Sequence, residues 1–167
     1  MQQVRNALNW LSYGLDRAMI GMVFILVSTM VIVTTLQVVF RVAFSALSWS
    51  EELSRYLLVW GTFFGATLAY KRSNHIAVTF VIEFFPNKLR VWFNIFTYIL
   101  SMIFFAIVAK QGLNMIQMQV FQISPALSLP MKYIYWSIPL SLSIMFIHAL
   151  SGIADEFHKA FGEEDAE

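Results

Sequence analysis

The chain has 167 residues, of which 59% are hydrophobic and only 13% are charged, and its formal net charge is +1. A soluble domain carries about 25% charged residues, so this composition indicates an integral membrane protein, and a net charge near zero argues against a nucleic-acid partner. Cysteine is absent, which excludes disulfides, thiolate metal sites and a thiol nucleophile.

The N-terminal region is amphipathic. Leu8, Leu11 and Leu15 fall on one side of a helix, and the pattern predicts an interfacial amphipathic helix over residues 1–17 that leads into the first span. Residues 18–40 contain no ionisable side chain and are long enough to cross a bilayer core of about 30 Å.

A second span is predicted over residues 53–71. Ser50 is a suitable N-cap, and Glu51 and Glu52 lie in the first turn, where carboxylates favour the positive end of the helix dipole. Residues 56–70 carry no charge. The pattern therefore predicts a transmembrane helix with an acidic outer mouth.

This second span also carries a stripe of small residues. Gly61, Gly65 and Ala69 recur every four residues, so they lie on one face of the helix. In lipid, small residues let another helix approach closely, because packing drives helix association there. We interpret the stripe as a packing face, with the partner helix either in this chain or in another.

Basic residues flank a short apolar stretch after the second span. Residues 76–85 are too few to cross the bilayer, and we predict a short helix that lies at the membrane surface. Lys71 and Arg72 precede this stretch, and Lys88 and Arg90 follow it. We predict that these four cations act as cytoplasmic anchors in contact with membrane lipids.

The third span is predicted over residues 91–110, with helical periodicity that extends to about residue 122. A helix over 91–122 would be about 48 Å long, so it must tilt or project beyond the lipid. Its outer part presents the polar side chains of Lys110, Gln111 and Asn114.

The last part of the chain contains a proline-bracketed loop and the fourth predicted span. Pro125 and Pro130 bound the loop, and the span covers residues 132–153 with a kink expected at Pro139. Residues 154–167 form a predicted acidic cytoplasmic tail.

The distribution of basic residues predicts the orientation. With four spans, seven cations fall on one side and four on the other, so the seven-residue side should be cytoplasmic, with both termini inside. The seven are Arg5, Arg17, Lys71, Arg72, Lys88, Arg90 and Lys159, and the four are Arg41, Arg55, Lys110 and Lys132. The predicted fold is thus an all-α, four-span membrane protein with interfacial helices.

Four charged residues cluster around the acidic mouth. Arg41, Glu51, Glu52 and Arg55 are predicted to form an ion network that clamps the first two spans, since charges at membrane depth tend to pair. Direct contact of the two glutamates with a soluble partner is the alternative, and the two roles are compatible.

No catalytic constellation is evident, so we do not expect an enzyme. His148 is the one titratable group inside the fourth span, and its two interpretations are a proton relay or a histidine satisfied near a helix end. No carboxylate is predicted at matching depth, which favours the second. A self-sufficient transporter would show repeats and polar groups at the midplane, and neither is clear here.

Three motifs resemble a known family. The stretch Trp49–Tyr56 (WSEELSRY), the stretch Gly65–Arg72 with the following His75-Ile76 pair, and Pro125–Met131 (PALSLPM) resemble the small membrane (Q) subunit of tripartite ATP-independent periplasmic (TRAP) transporters. The similarity extends over residues 10–155.

The resemblance implies a multi-pass protein of the bacterial inner membrane. In this family a large elevator-type (M) subunit holds the substrate and sodium sites, and a periplasmic binding protein delivers an organic acid. The small subunit would be a static scaffold without a cofactor of its own. Its outer polar residues Lys110, Gln111, Asn114 and Lys132 would help to dock the binding protein. Sialic acid is the leading substrate expectation, followed by C4-dicarboxylates.

Two other functions remain as alternatives. A small four-helix proton-coupled efflux transporter would need a carboxylate in the middle of a span, which the first span lacks. An anchor subunit of a membrane enzyme would be expected to carry paired histidines at midplane depth if it bound haem, and only His148 lies within a predicted span.

Overall fold

A computed structural model describes residues 2–43, 45, 47–73 and 87–162 of the chain. The described residues form helices joined by short connections, which confirms the predicted all-α class. The helices are α1 (Gln2–Ala43), α2 (Ser48–Ser73), α3 (Asn87–Met118), α4 (Lys132–Tyr135) and α5 (Ser137–Gly162).

Helix α5 is the centre of the bundle. It packs along α3 and also contacts α1 and α2, while α1 and α2 pack against each other as a hairpin. One apolar cluster lies between α3 and α5 and another among α1, α2 and α5. The buried members of the first are Tyr98, Phe105, Leu142, Met145 and Ala149, and those of the second are Met19, Phe64 and Ile144.

Three helical stretches within the described residues are long and apolar enough to cross a membrane, by length and composition. They are Arg5–Ala43, Val91–Met118 and Lys132–Phe157. Helix α2 is not among them, because its charge-free run over residues 56–70 is short and includes glycines and threonines. The four-span count and the orientation therefore stay predictions.

Helix α1 is continuous across the predicted boundary between residues 1–17 and 18–40. Its N-terminal part is therefore not a separate element. This part packs on the bundle, since Ser12 is buried and Asn9 forms hydrogen bonds with α5. The polar side of this amphipathic segment therefore packs within the bundle.

Helix α3 ends at Met118, four residues before the predicted end at residue 122. The chain then turns, with the Gln122 N–H donating to the Gln119 carbonyl at 3.2 Å, and an antiparallel bridge pairs Ile123 with Pro130. Ser128 has a positive φ of 54° inside this loop. The hydrogen bonds of this turn and bridge therefore replace the helical hydrogen bonds after Met118.

The fourth predicted span is divided at Trp136 into α4 and α5. Pro139 lies in the first turn of α5 and has no backbone N–H to donate to the Tyr135 carbonyl four residues earlier, at the end of α4. The kink expected at Pro139 stays a prediction. Helix α5 also continues through Gly162, and Glu156 is buried, so the predicted tail 154–167 begins too early. The predicted surface helix 76–85 lies outside the described residues.

Two glycines allow α3 and α5 to approach closely. A Cβ at Gly112 would lie 3.0 Å from Ile138 Cγ2, and a Cβ at Gly152 would lie 2.5 Å from the Tyr98 ring. Hydrogen replaces a side chain at both points, so side chains of the opposite helix lie directly against the glycine backbone. No motif in the sequence assigned a packing role to either glycine.

Candidate functional site

Glu52 attaches the start of α2 to the loop between α3 and α4. Its side chain is buried, and Oε2 accepts hydrogen bonds from the N–H groups of Ala126 at 2.8 Å and Leu127 at 2.9 Å. Oε1 accepts a hydrogen bond from the Tyr56 hydroxyl. One carboxylate therefore fixes a loop that follows it by more than 70 residues.

The loop has its own internal hydrogen bonds. The N–H of Ser124 donates to the Leu129 carbonyl at 2.9 Å, and the N–H of Met131 donates to the Gln122 carbonyl at 2.9 Å. These bonds turn the Ala126 and Leu127 amides toward a single acceptor. We call residues 122–131, held in this way, the Glu52-anchored loop.

The start of α2 differs from the prediction in the role of Ser50. The helix begins at Ser48, so Ser50 is inside the first turn and its hydroxyl donates to the Leu47 carbonyl at 2.8 Å. The predicted N-cap role of Ser50 is therefore wrong, while Glu51 does lie in the first turn.

The surroundings of Glu52 favour its charged form. Burial by itself raises the pKa of this carboxyl, but hydrogen bonds from Tyr56, from Ser124 and from the two loop amides lower it more, so its pKa is below the ordinary value of 4.5. Glu52 is therefore an anion at neutral pH, and a charged acceptor forms stronger hydrogen bonds than a neutral one.

The residues of the predicted ion network have other partners. Glu51 accepts a hydrogen bond from Gln37 Nε2 at 3.2 Å, which links α2 to α1, and Glu52 accepts from the loop. Arg41 and Arg55 are both exposed. Among the described residues, the two glutamates thus bind uncharged donors in place of the predicted arginines.

The small-residue stripe of α2 faces away from the rest of the chain. Among the described residues, no atom outside the helix itself lies within 4 Å of a Cβ built at Gly61 or Gly65, and Ala69 is exposed. In contrast to Gly112 and Gly152, these glycines are not used for packing inside the described part of this chain. A helix from another chain has room to approach there.

The residues predicted to dock a soluble partner lie at the same end of the bundle as the Glu52-anchored loop. Lys110, Gln111 and Asn114 are exposed near the end of α3, and Asn114 donates to Gln111 at 3.0 Å. Lys132 begins α4, with Nζ 5.3 Å from the Tyr133 ring centroid. The Gly112 contact with Ile138 brings these two helix ends together.

The predicted anchor residues fall at the opposite end. Lys71 donates to the Ser12 carbonyl at 3.0 Å and lies 5.0 Å from the Tyr13 ring centroid, and Arg72 is exposed. The side chains of Lys88 and Arg90 lie outside the described residues.

A polar cluster that sequence analysis missed joins α1 to α5 at this end. Ser12 Oγ lies 2.8 Å from His148 Nδ1, and Asn9 binds Ser151 at 2.6 Å and Asp155 at 3.0 Å. The sequence pattern that could have predicted this cluster is the spacing of Asn9, Ser12 and Asp16, which places them on one face of a helix.

His148 itself is buried, with only 3% of its surface exposed, and its Nδ1 is the ring nitrogen that lies next to Ser12. The expectation that no carboxylate lies at the depth of His148 stays a prediction.

A sequence model of the family described as tripartite ATP-independent periplasmic transporters, DctQ component, matches residues 30–159. The chain belongs to this family. The resemblance to TRAP small membrane subunits is thereby confirmed, and the chain is an inner-membrane protein.

Three relatives show how the DctQ similarity is distributed. The isethionate TRAP transporter permease protein DctMQ of Oleidesulfovibrio alaskensis is 29% identical over 117 residues, which is 67% of this chain and 18% of the relative. A putative TRAP transporter small permease protein of Haemophilus influenzae is 35% identical over 77 residues, 46% of this chain and 48% of the relative. The sialic acid TRAP transporter permease protein SiaT of Haemophilus influenzae is 26% identical over 105 residues, 63% of this chain and 17% of the relative.

The chain therefore matches less than a fifth of two of these relatives and about half of the third. The two larger relatives have different substrates in their names. Similarity to them shows a TRAP permease component and leaves the transported molecule open.

Proposed function

We propose that this chain is the static scaffold subunit of a sodium-coupled TRAP transporter for organic acids. It enlarges the fixed part of the transporter. The mobile part of a large elevator-type membrane subunit slides against this fixed part. Membership of the DctQ family supports this role, and the similarity to part of a much longer permease protein named DctMQ supports an M-type partner.

The observation that carries the proposal is the open stripe on α2. Within this chain, close helix contact uses glycine, since Gly112 and Gly152 lie directly against α5 and α3. Gly61 and Gly65 provide the same type of surface, and no atom of the described residues outside α2 approaches it. Because small residues promote helix association in lipid, we assign this stripe to contact with the large subunit.

The arrangement of α5 supports a bracing role. Helix α5 contacts α1, α2 and α3, so the other three long helices are all tied to it. The Glu52-anchored loop adds a second tie between α2 and the chain after α3. A subunit that resists the movement of a neighbour needs such cross-connections.

We place the substrate and sodium sites in the large subunit, with no cofactor in this chain. The carboxylates at the acidic mouth are already used for internal hydrogen bonds, which supports a structural role for them. Sialic acid remains the leading substrate proposal and C4-dicarboxylates the next.

We also propose four spans with both termini in the cytoplasm. The contact of Lys71 with Ser12 puts the basic end of α2 beside the N-terminal part of α1, as this orientation requires. Lys110, Gln111, Asn114 and Lys132 then face the periplasm, where they help to dock the substrate-binding protein.

Reconstitution tests the scaffold role. The large subunit and the binding protein are placed in liposomes with an inward sodium gradient, with and without this chain. Uptake of the organic acid is expected only when the chain is present, and the chain should co-purify with the large subunit in mild detergent. Sodium-driven uptake without the chain, or uptake with this chain as the sole protein, would contradict the proposal.

A further inference from the structure

One exposed face of α1 carries two aromatic side chains and a cation close to the end of α2. Trp10, Tyr13 and Arg17 follow one another at three- and four-residue spacing, so they share one face of the helix. All three are exposed, Trp10 to 80% and Tyr13 to 68%. Ser12, which lies on another face, is buried. This part of α1 therefore presents two large rings and a guanidinium to its surroundings.

Lys71 of α2 joins this face. Its Nζ lies 5.0 Å from the Tyr13 ring centroid and donates to the Ser12 carbonyl at 3.0 Å, and these two contacts hold the ammonium beside Tyr13. An ammonium has three N–H donors, of which the Ser12 carbonyl uses one. Arg17 follows Tyr13 by one helical turn, so a cation from each helix lies near the same exposed ring. We call Trp10, Tyr13, Arg17 and Lys71 the cationic–aromatic patch.

The cationic–aromatic patch lies where α1 leaves the apolar layer of the membrane. Arg17 is the last charged residue before residues 18–40, which contain no ionisable side chain. The apolar stretch Arg5–Ala43 is about 58 Å long, so even a tilted helix extends beyond a hydrocarbon layer of about 30 Å. The contact of Lys71 with Ser12 brings the end of α2 to the same level. Tyrosine and tryptophan concentrate at this depth, where the lipid headgroups begin.

We propose that the cationic–aromatic patch binds the phosphate group of an anionic phospholipid, with Arg17 and Lys71 as the donors. A guanidinium binds two phosphate oxygens at once, and an ammonium adds a point charge beside them. The rings of Trp10 and Tyr13 pack against the glycerol end of the acyl chains, since amphipathic rings favour that layer.

The charges of the patch select among phospholipids. Asp16 interacts electrostatically with Lys71, but it shares the α1 face of Ser12 and not that of Arg17. Two cations therefore outweigh the one neighbouring carboxylate. A phosphatidylcholine headgroup carries a cation of its own, which Arg17 and Lys71 repel, whereas a phosphatidylglycerol headgroup has a net negative charge and no cation. We therefore expect the patch to prefer phosphatidylglycerol.

This site goes beyond the scaffold role and does not depend on it, because its test uses the chain alone and measures lipid preference. The full chain is reconstituted into phosphatidylcholine vesicles that contain increasing mole fractions of a brominated lipid, either phosphatidylglycerol or phosphatidylcholine. Bromine on the acyl chain quenches tryptophan fluorescence on contact. The chain has five tryptophans, so the Trp10 signal is the difference between the chain and its Trp10→Phe variant.

The expected result is that brominated phosphatidylglycerol quenches Trp10 at a severalfold lower mole fraction than brominated phosphatidylcholine. Arg17→Gln should reduce this preference about fivefold, which is the contribution of one cation beside an anionic lipid surface. Arg17→Lys keeps the charge and should retain most of the preference. Lys110→Gln removes an exposed cation at the other end of the bundle and is the matched control, with an unchanged preference.

Four outcomes would overturn the proposal. The first is equal quenching of Trp10 by the two lipids, and the second is a preference for phosphatidylcholine, in which the rings bind the choline cation. The third is an Arg17→Gln variant that behaves like Lys110→Gln. The fourth is loss of the preference on addition of excess inorganic phosphate at constant ionic strength, which would indicate a site for the free anion. Arg17 is exposed, so its variants are expected to fold.

Discussion

The carboxylate of Glu52 accepts a hydrogen bond of 2.8 Å from the backbone N–H of Ala126, which lies 74 residues further along the chain. The same oxygen accepts from Leu127 at 2.9 Å. Glu52 is thus a buried anion that accepts hydrogen bonds from two backbone amides and from the Tyr56 hydroxyl. These charge-assisted hydrogen bonds stabilise the loop at the start of α2.

Replacement of Glu52 should loosen this loop. Glu52→Gln retains the shape of the side chain but replaces one acceptor oxygen with an NH₂ donor, which cannot bind the loop amides. Hydrogen exchange followed by mass spectrometry should show severalfold faster exchange of the Ala126 and Leu127 amides. Glu51→Gln is the control, because Glu51 binds Gln37 on α1. Equal exchange in the loop of both variants would contradict the anchoring role.

The same anchor should respond to acid. The pKa of Glu52 is below its ordinary value of 4.5, so the unfolded chain binds more protons than the folded chain near that pH. The stabilisation is complete above about pH 4.5 and is lost as the pH falls through the lower, folded-state value. Loop protection, corrected for intrinsic exchange rates, should be constant from pH 7 to pH 5 and should decrease below pH 4.5. Glu52→Gln should show no such decrease.

A side chain at Gly152 should destabilise the contact between α3 and α5. In Gly152→Ala the new methyl would lie 2.5 Å from the buried Tyr98 ring, which must move. Overpacking of this type costs about 1–3 kcal/mol, and thermal unfolding in detergent measures it. Gly61→Ala meets no atom within 4 Å and should be neutral or stabilising by about 0.5–1 kcal/mol, because alanine favours helix.

A double substitution separates the clash from helix effects. Tyr98→Ala combined with Gly152→Ala should cost less than the sum of the two single changes, since the ring that causes the clash is gone. Additive losses in this cycle would show that the close approach at Gly152 is not the cause.

A large side chain on the α2 stripe should affect assembly and not the fold of the chain. A Cβ added at Gly65 meets no atom of the described residues within 4 Å, so we expect the free subunit of Gly65→Leu to remain stable. If the stripe contacts the large subunit, co-purification in mild detergent should be lost. Gly21→Leu on α1 is the control, because Gly21 is equally open and lies outside the stripe. The same loss of co-purification with both variants would remove the stripe from the interface.

Charge reversal at the loop-bearing end should weaken docking of the binding protein. Lys110→Glu and Lys132→Glu each change the local charge by two units, and rim charges mainly affect association rate and salt dependence. Surface plasmon resonance on the assembled transporter should show a lower association rate constant. Lowering the salt concentration should raise this rate constant less than it does for the unsubstituted chain. Lys110→Arg and Lys132→Arg keep the charge and should bind normally. Unchanged association with the glutamate variants would exclude these two lysines from the docking surface.

Sequence patterns predicted the all-α class because three stretches, Arg5–Ala43, Val91–Met118 and Lys132–Phe157, are long and apolar. They could not predict the partner of Glu52, since the spacing of Glu51, Glu52 and Arg55 suggests local ion pairs. The actual donors are backbone amides, which have no sequence signature and lie far away in the chain. The positive φ at Ser128, which shapes the loop, was equally invisible.

Glycine spacing gave a recognisable pattern at one place only. The four-residue repeat of Gly61, Gly65 and Ala69 indicated a packing face, but the pattern does not specify which helix packs on it. Gly112 and Gly152 occur singly and have no repeat, yet these are the glycines that α3 and α5 use for close contact. Their role depends on tertiary placement, which a pattern on one helix does not contain.

The length of α3 has a consequence for the surrounding lipid. Its 32 residues make a rod of about 48 Å, whereas the hydrocarbon layer is about 30 Å thick. Exposed apolar side chains such as Phe96 and Phe104 occur along this rod. A bilayer in contact with it must thicken locally or the helix must lean, and either response changes the membrane next to the subunit. Bilayer thickness, varied through acyl-chain length, is therefore a physical variable to which assemblies containing this chain should be sensitive.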